Sequence, residues 1–174
     1  PHSASDFLRL TTFMGQFQRV TTTPHILTEV TDLLETLNRS RQNRLFFALR
    51  QSLSNFEELY IPSLQLADNQ PTRFDKFGLA DSMLAELAAQ DYLVLTDDLP
   101  LFGYLESLDL PVVNFNHLRS SQLLGYLSFR VHSFHQDVVR KRHVVDEHPL
   151  RVVGKAAAVG VVQRQHDGRT GPLE

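Results

Sequence analysis

Two apolar runs with one short helix between them set what this chain can fold into. Tyr92-Leu93-Val94-Leu95 and Pro111-Val112-Val113-Asn114-Phe115 are of strand length and apolar without alternation, the pattern of strands buried on both faces. Leu101 to Leu108 between them reads as a single short helix, entered through Leu99-Pro100. Antiparallel partners need only a tight turn, whereas strands joined through a helix run parallel. A parallel sheet must be covered on both sides, so the expected class is α/β with helices packed around a central parallel sheet.

The rest of the chain supplies the expected elements. Ser3 to Phe17 places Phe7, Leu10, Met14 and Phe17 at helical spacing. Arg19 to Thr23 is short and β-branched and reads as a strand. Thr23-Pro24 is a helix start, with the hydroxyl as N-cap and Pro at the first helical position. The helix that follows puts Ile26, Leu27, Val30, Leu33, Leu34 and Leu37 on one wide face. Leu45, Leu49, Leu53, Phe56 and Leu59 repeat the helical period, so a third helix is expected to end near Tyr60-Ile61-Pro62. Asp68 to Thr72 reads as a polar connector, and Leu79, Met83, Leu84 and Leu87 as a helix preceded by Gly78. Beyond Ser120 the period fades. Val152 to Val162 is apolar enough for a strand or a short helix, with Gly154 and Gly160 weighing against both.

A chain of 174 residues supports one compact domain with a tail. Without cysteine there is no disulfide framework and no zinc-thiolate site, so a metal would have to use carboxylates, amides or histidines. No run approaches the roughly 20 apolar residues of a membrane span, and no secretory pattern opens the chain. The expectation is a cytoplasmic protein with no membrane partner, its opening Pro1 fitting a processed product or a piece of a longer reading frame. Charge is unevenly spread. Residues 1–118 hold 8 Lys and Arg against 15 Asp and Glu, whereas residues 119–174 hold 9 against 5. An acidic body argues against a plain electrostatic nucleic-acid binder, but not against an enzyme that reaches phosphates through divalent cations.

Local structure singles out a few acids. At about 100° per residue, Glu29 lies beside the apolar stripe of its helix, whereas Asp32 and Glu35 lie much closer to the opposite side. Asp81 falls in the first turn of its helix, where capping the helix dipole explains it as well as chemistry does. Thr96-Asp97-Asp98 follows the buried strand at its carboxyl end, where open parallel sheets place their ligand crevice; either aspartate could also cap the next helix. Three such segments meeting in one crevice would offer hard oxygen ligands to Mg²⁺ or Mn²⁺, the chemistry of phosphodiester cleavage. His132 with His135, and Arg140-Lys141-Arg142, are weaker features. Neither a phosphate-cradling Gly-rich loop nor a nucleophile elbow is present.

Four segments taken in order resemble a bacterial PIN domain: Thr22-Thr23-Pro24-His25-Ile26-Leu27-Thr28-Glu29-Val30, Gly78-Leu79-Ala80-Asp81-Ser82, Leu95-Thr96-Asp97-Asp98-Leu99-Pro100-Leu101 and Asn114-Phe115-Asn116-His117-Leu118-Arg119. The resemblance covers residues 3–119, leaving 120–174 as an extension expected to be poorly ordered or irregular. It implies a three-layer sandwich around a parallel sheet and a ribonuclease that hydrolyses RNA with Mg²⁺ or Mn²⁺. Many such domains are toxins held by an antitoxin protein, and many form homodimers. By the same resemblance Glu29, Asp81 and Asp98 are the metal-binding acids, Thr96 is the threonine of the Thr-x-Asp motif and Asp97 its variable residue, while Asn114 and Asn116 stand near the last strand as support. The chain departs from the family at its start. The family opens with a central strand ending in an aspartate, the first metal ligand, and nothing before Ser3 supplies it, Asp6 falling in the helix that comes after that strand. Without that strand, its neighbours should be left unpaired or the sheet should close up.

Two other classes compete with the ribonuclease. One is a catalytically inactive PIN-like module that binds RNA or a protein. The other is a doubly wound domain of the response-regulator kind, for which no central phosphoacceptor aspartate with a lysine near the last strand is evident.

Overall fold

The computed structural model describes residues 4–119 and 151–153. In chain order these form α1 (Ala4–Met14), β1 (Arg19–Thr22), α2 (Pro24–Glu35), α3 (Arg39–Ser52), β2 (Glu57–Glu58), α4 (Ser63–Asn69), α5 (Pro71–Ala89), β3 (Leu93–Thr96), α6 (Leu99–Ser107), β4 (Val112–Asn114), α7 (Phe115–Arg119) and β5 (Arg151–Val153). All five strands run parallel in the order β2-β1-β5-β3-β4.

Alternation of side chains along the strands divides the core into two layers. Val94, Val112 and Val153 turn to one face and join Ile26, Val30, Leu49, Leu66, Met83, Leu84 and Leu101 from α2 through α6. Leu93, Leu95, Val113 and Val152 turn to the other and meet Leu10, Phe13, Met14, Phe115 and Leu118 from α1 and α7. The result is the expected α/β architecture, a sheet between two helical layers. An ion pair joins the two helices of the smaller layer: Arg119 Nε donates to the buried Asp6 Oδ1 at 3.2 Å, while the Arg119 side chain stays 38% exposed.

The centre of the sheet differs from expectation. β1 and β3, which the resemblance would set on either side of an absent first strand, are neither left bare nor closed onto each other. β5 lies between them, Val152 opposite Val20 and Leu93, and Val153 opposite Thr21 and Val94. Three residues of the segment assigned to the extension are thus the innermost strand, with Val152 and Val153 fully buried. Arg151 Nη1 also donates to the Tyr92 hydroxyl at 2.6 Å. The remainder of the extension, with His132, His135 and Arg140-Lys141-Arg142, lies outside the described residues.

Three boundaries also shift. α3 stops at Ser52 rather than near Ile61, because Glu57 and Glu58 leave the helical path to pair with Thr21 and Thr22. Asp68 and Asn69 close α4 instead of forming a connector, and the break falls on Gln70. α5 starts at Pro71 and is interrupted at Gly78, whose φ of 72° and ψ of −167° suit glycine alone; no atom lies within 4 Å of the place a Cβ would take. The backbone angle, not crowding, demands glycine there.

Candidate functional site

From β1 the chain moves outward to β2, and from β3 it moves outward to β4 in the opposite direction, with β5 between the two pairs. Such a reversal of strand order opens a crevice at the carboxyl ends of the strands, where connecting segments diverge. The elements that leave this edge carry most of the predicted residues.

At the end of β1, Thr23 caps α2, its Oγ1 accepting from Ile26 N–H at 3.2 Å, with Pro24 in the first turn. The cap anchors the helix that carries Glu29. Glu29 is half-buried and adjoins the buried Val30, at the margin of the face that packs on the core. Asp81 sits in the first turn after the Gly78 break, partly buried, beside Ser82, whose hydroxyl is fully buried with no hydrogen-bond partner among the described residues. That helix packs against α2, β3 and α6, which brings its acid to the same side of the sheet as Glu29 and Asp98.

At the end of β3 the capping role of Asp98 is realised. Its Oδ1 accepts from Leu101 N–H at 2.8 Å, and its own N–H donates to Thr96 Oγ1 at 3.1 Å. Thr96 is fully buried, Asp98 is half-buried and Asp97 is exposed. The turn is held from β4 as well. Asn114 Oδ1 accepts from Asn116 N–H at 2.8 Å, and Asn116 Nδ2 donates to the Asp97 carbonyl at 3.4 Å. Asn114 and Asn116 therefore steady the Thr96–Asp98 turn through the backbone, a positioning role for two residues whose part had been open.

Sequence reasoning missed Thr22 and Ser82 at this edge. Thr22 Oγ1 and Ser82 Oγ, like Nδ2 of the expected Asn114, are buried polar atoms with no hydrogen-bond partner among the described residues. Such atoms are costly away from water unless something bonds them. For Thr22 the readable signal was a polar residue closing a short strand at its carboxyl end.

The acids stand on elements that leave this edge. Among the described residues, no three His, Asp or Glu side chains form a group able to hold a metal ion, and one oxygen of Asp98 is committed to its cap. Carboxylates such as these are the hard oxygen donors that Mg²⁺ or Mn²⁺ takes. β5 brings no acid, its described residues being Arg151, Val152 and Val153. No helix of the described residues is long and apolar enough to cross a membrane. No protein-family model matches the chain, and neither a curated protein nor a solved structure matches it.

Proposed function

We propose that this chain carries the body of a PIN-type ribonuclease domain that takes RNA phosphodiesters at the carboxyl edge of its sheet, with Glu29, Asp81 and Asp98 as its acids. One observation carries the reading: Glu29 and Asp98 stand on the helices that leave β1 and β3, the two strands flanking the switch point. Mg²⁺ or Mn²⁺ is the cofactor such a domain would use. An antitoxin partner, a homodimer and a cytoplasmic location belong to the same proposal and rest on the resemblance alone.

A second reading, an inactive PIN-like module that binds RNA or a protein, draws on the structural use of Asp98, one of whose oxygens accepts from Leu101 N–H as a helix cap. Incubating the purified chain with structured RNA and Mn²⁺, beside EDTA and Asp98→Asn controls, separates the two. Asn caps a helix about as well as Asp, so Asp98→Asn preserves the turn while removing the charge. Cleavage that requires both the metal and Asp98 supports the ribonuclease. RNA held but left uncut by a folded chain supports the module.

A further inference from the structure

The chain enters α2 at the edge where its acids gather, and the first side chain past Pro24 is a histidine. His25 lies three residues beyond the end of β1 and Asp98 two beyond the end of β3, on strands separated only by β5. Two strand spacings put β1 and β3 about 10 Å apart. Along α2, His25 and Glu29 are four residues apart. They therefore occupy one side of the helix, roughly 40° from each other, with His25 the nearer to the sheet edge. Ile26, Val30 and Leu34 take the side that packs on the core.

The ring of His25 is half-buried, and its Nδ1 is buried with no hydrogen-bond partner among the described residues. Nε2 is then the nitrogen a substrate can reach. His117, the other described histidine, sets its ring edge-on against Phe102, the ring centroids 5.1 Å apart. The first turn that carries His25 is also the positive end of a twelve-residue helix, the end that favours a phosphate.

From this placement we infer that His25 gives a proton to the leaving oxygen when an RNA phosphodiester is cut at this edge. The inference deepens the ribonuclease reading and rests on it. Acids that hold a divalent cation do so as carboxylates, which accept hydrogen bonds and have no proton to give. Cutting a phosphodiester leaves an alkoxide that needs one, and imidazole is the side chain that gives and takes protons near neutral pH. As the oxygen of water bonds to phosphorus and releases its proton to solvent, the bond from phosphorus to the leaving oxygen breaks. The electron pair of that bond stays on the leaving oxygen, which takes the proton from Nε2. The neutral imidazole then recovers a proton from solvent.

The test separates proton donation from binding by changing the leaving group. The full chain with Mn²⁺ is given two RNAs, one natural and one with sulfur in place of the bridging oxygen that leaves, since a thiolate departs without a proton. His25→Gln should lower cleavage of the natural RNA by about 100-fold or more and change cleavage of the sulfur-bridged RNA by less than about threefold. In EDTA, the imidazole nitrogen NMR signals that are missing from His25→Gln should shift when single-stranded RNA is added to the parent. Equal loss on both RNAs by a variant that melts like the parent overturns the inference, as do His25 signals that RNA leaves in place. The same selective loss in His117→Gln, with His25→Gln unaffected, moves the role to α7 and overturns it too. A folded parent that cuts neither RNA defeats the ribonuclease reading, and this inference falls with it. A parent that cuts both RNAs, with His25→Gln cutting both as well as the parent, defeats this inference alone.

Discussion

The β3-α6-β4 unit and the central strand β5 are both buried parallel structure, yet they are built on opposite terms. Leu93 to Asn114 is continuous: Asp98 caps the helix, Val94 N–H donates to the Pro111 carbonyl at 3.0 Å, and Val94 pairs with Val112 across a short crossover. β5 is three residues with no partner nearby in sequence, held by β1 on one side and β3 on the other. One unit specifies itself locally, whereas the other is specified by the slot it fills. The contrast shows that in this sheet the innermost strand is the one whose own residues say least about its place.

The harshest test places a charge in that slot. Val153 is fully buried against Val94 and Met83's cluster, and Val153→Asp should cost more than about 4 kcal/mol because the carboxylate has no partner there. Urea denaturation followed by fluorescence or circular dichroism should show a chain that no longer unfolds in one step at the parent midpoint. Unchanged stability would mean that β5 is not the central strand. A gentler pair compares the two regions directly. Val153→Ala and Val112→Ala should each lose roughly 2 kcal/mol, but stopped-flow folding should divide the effect differently. Val112 belongs to local contacts that form early, so its loss should slow folding; Val153 pairs late, so its loss should mainly speed unfolding. Equal partitioning for both would erase the distinction drawn between them.

Gly78→Ala comes next, at about 1 to 3 kcal/mol, through the backbone angle alone. It should be seen as a lower melting temperature, with no change in the protection of β3 amides against hydrogen exchange. The smallest effect concerns the local unit's cap. Asp98→Ala should cost about 1 kcal/mol and Asp98→Asn close to nothing, so the pair of melts separates the cap from the charge that any catalysis would require.

What could be read from the sequence follows the same division. β1, α2, β3, α6 and β4 announced themselves through caps, prolines and apolar runs whose signals lie within a few residues. Glu57 and Glu58 could not, since a two-residue strand has no alternation to show, and Phe56 and Leu59 around it happen to continue the period of α3. Asp68 and Asn69 have the composition of a loop but complete a helical turn that Leu66 buries. Val152 and Val153 were seen as apolar, but pairing at long range leaves no local mark. At the site, the elements bearing Glu29, Asp81 and Asp98 were legible because strand ends and helix starts are. How the carboxylates stand to one another depends on packing between helices that no spacing encodes.

The place of β5 in the sheet also bears on how the protein is made. A ribosome delivers the strands in order, and β1 with β2 and β3 with β4 emerge before the stretch that ends in Arg151-Val152-Val153. At synthesis rates of about 5 to 20 residues per second, the residues between Arg119 and Arg151 take roughly two to six seconds to appear. For that interval the described strands would form two half-sheets, one with its open edge along β1 and the other along the apolar β3. Bare edges of that kind invite pairing with other chains, so newborn copies should depend on a chaperone until β5 arrives.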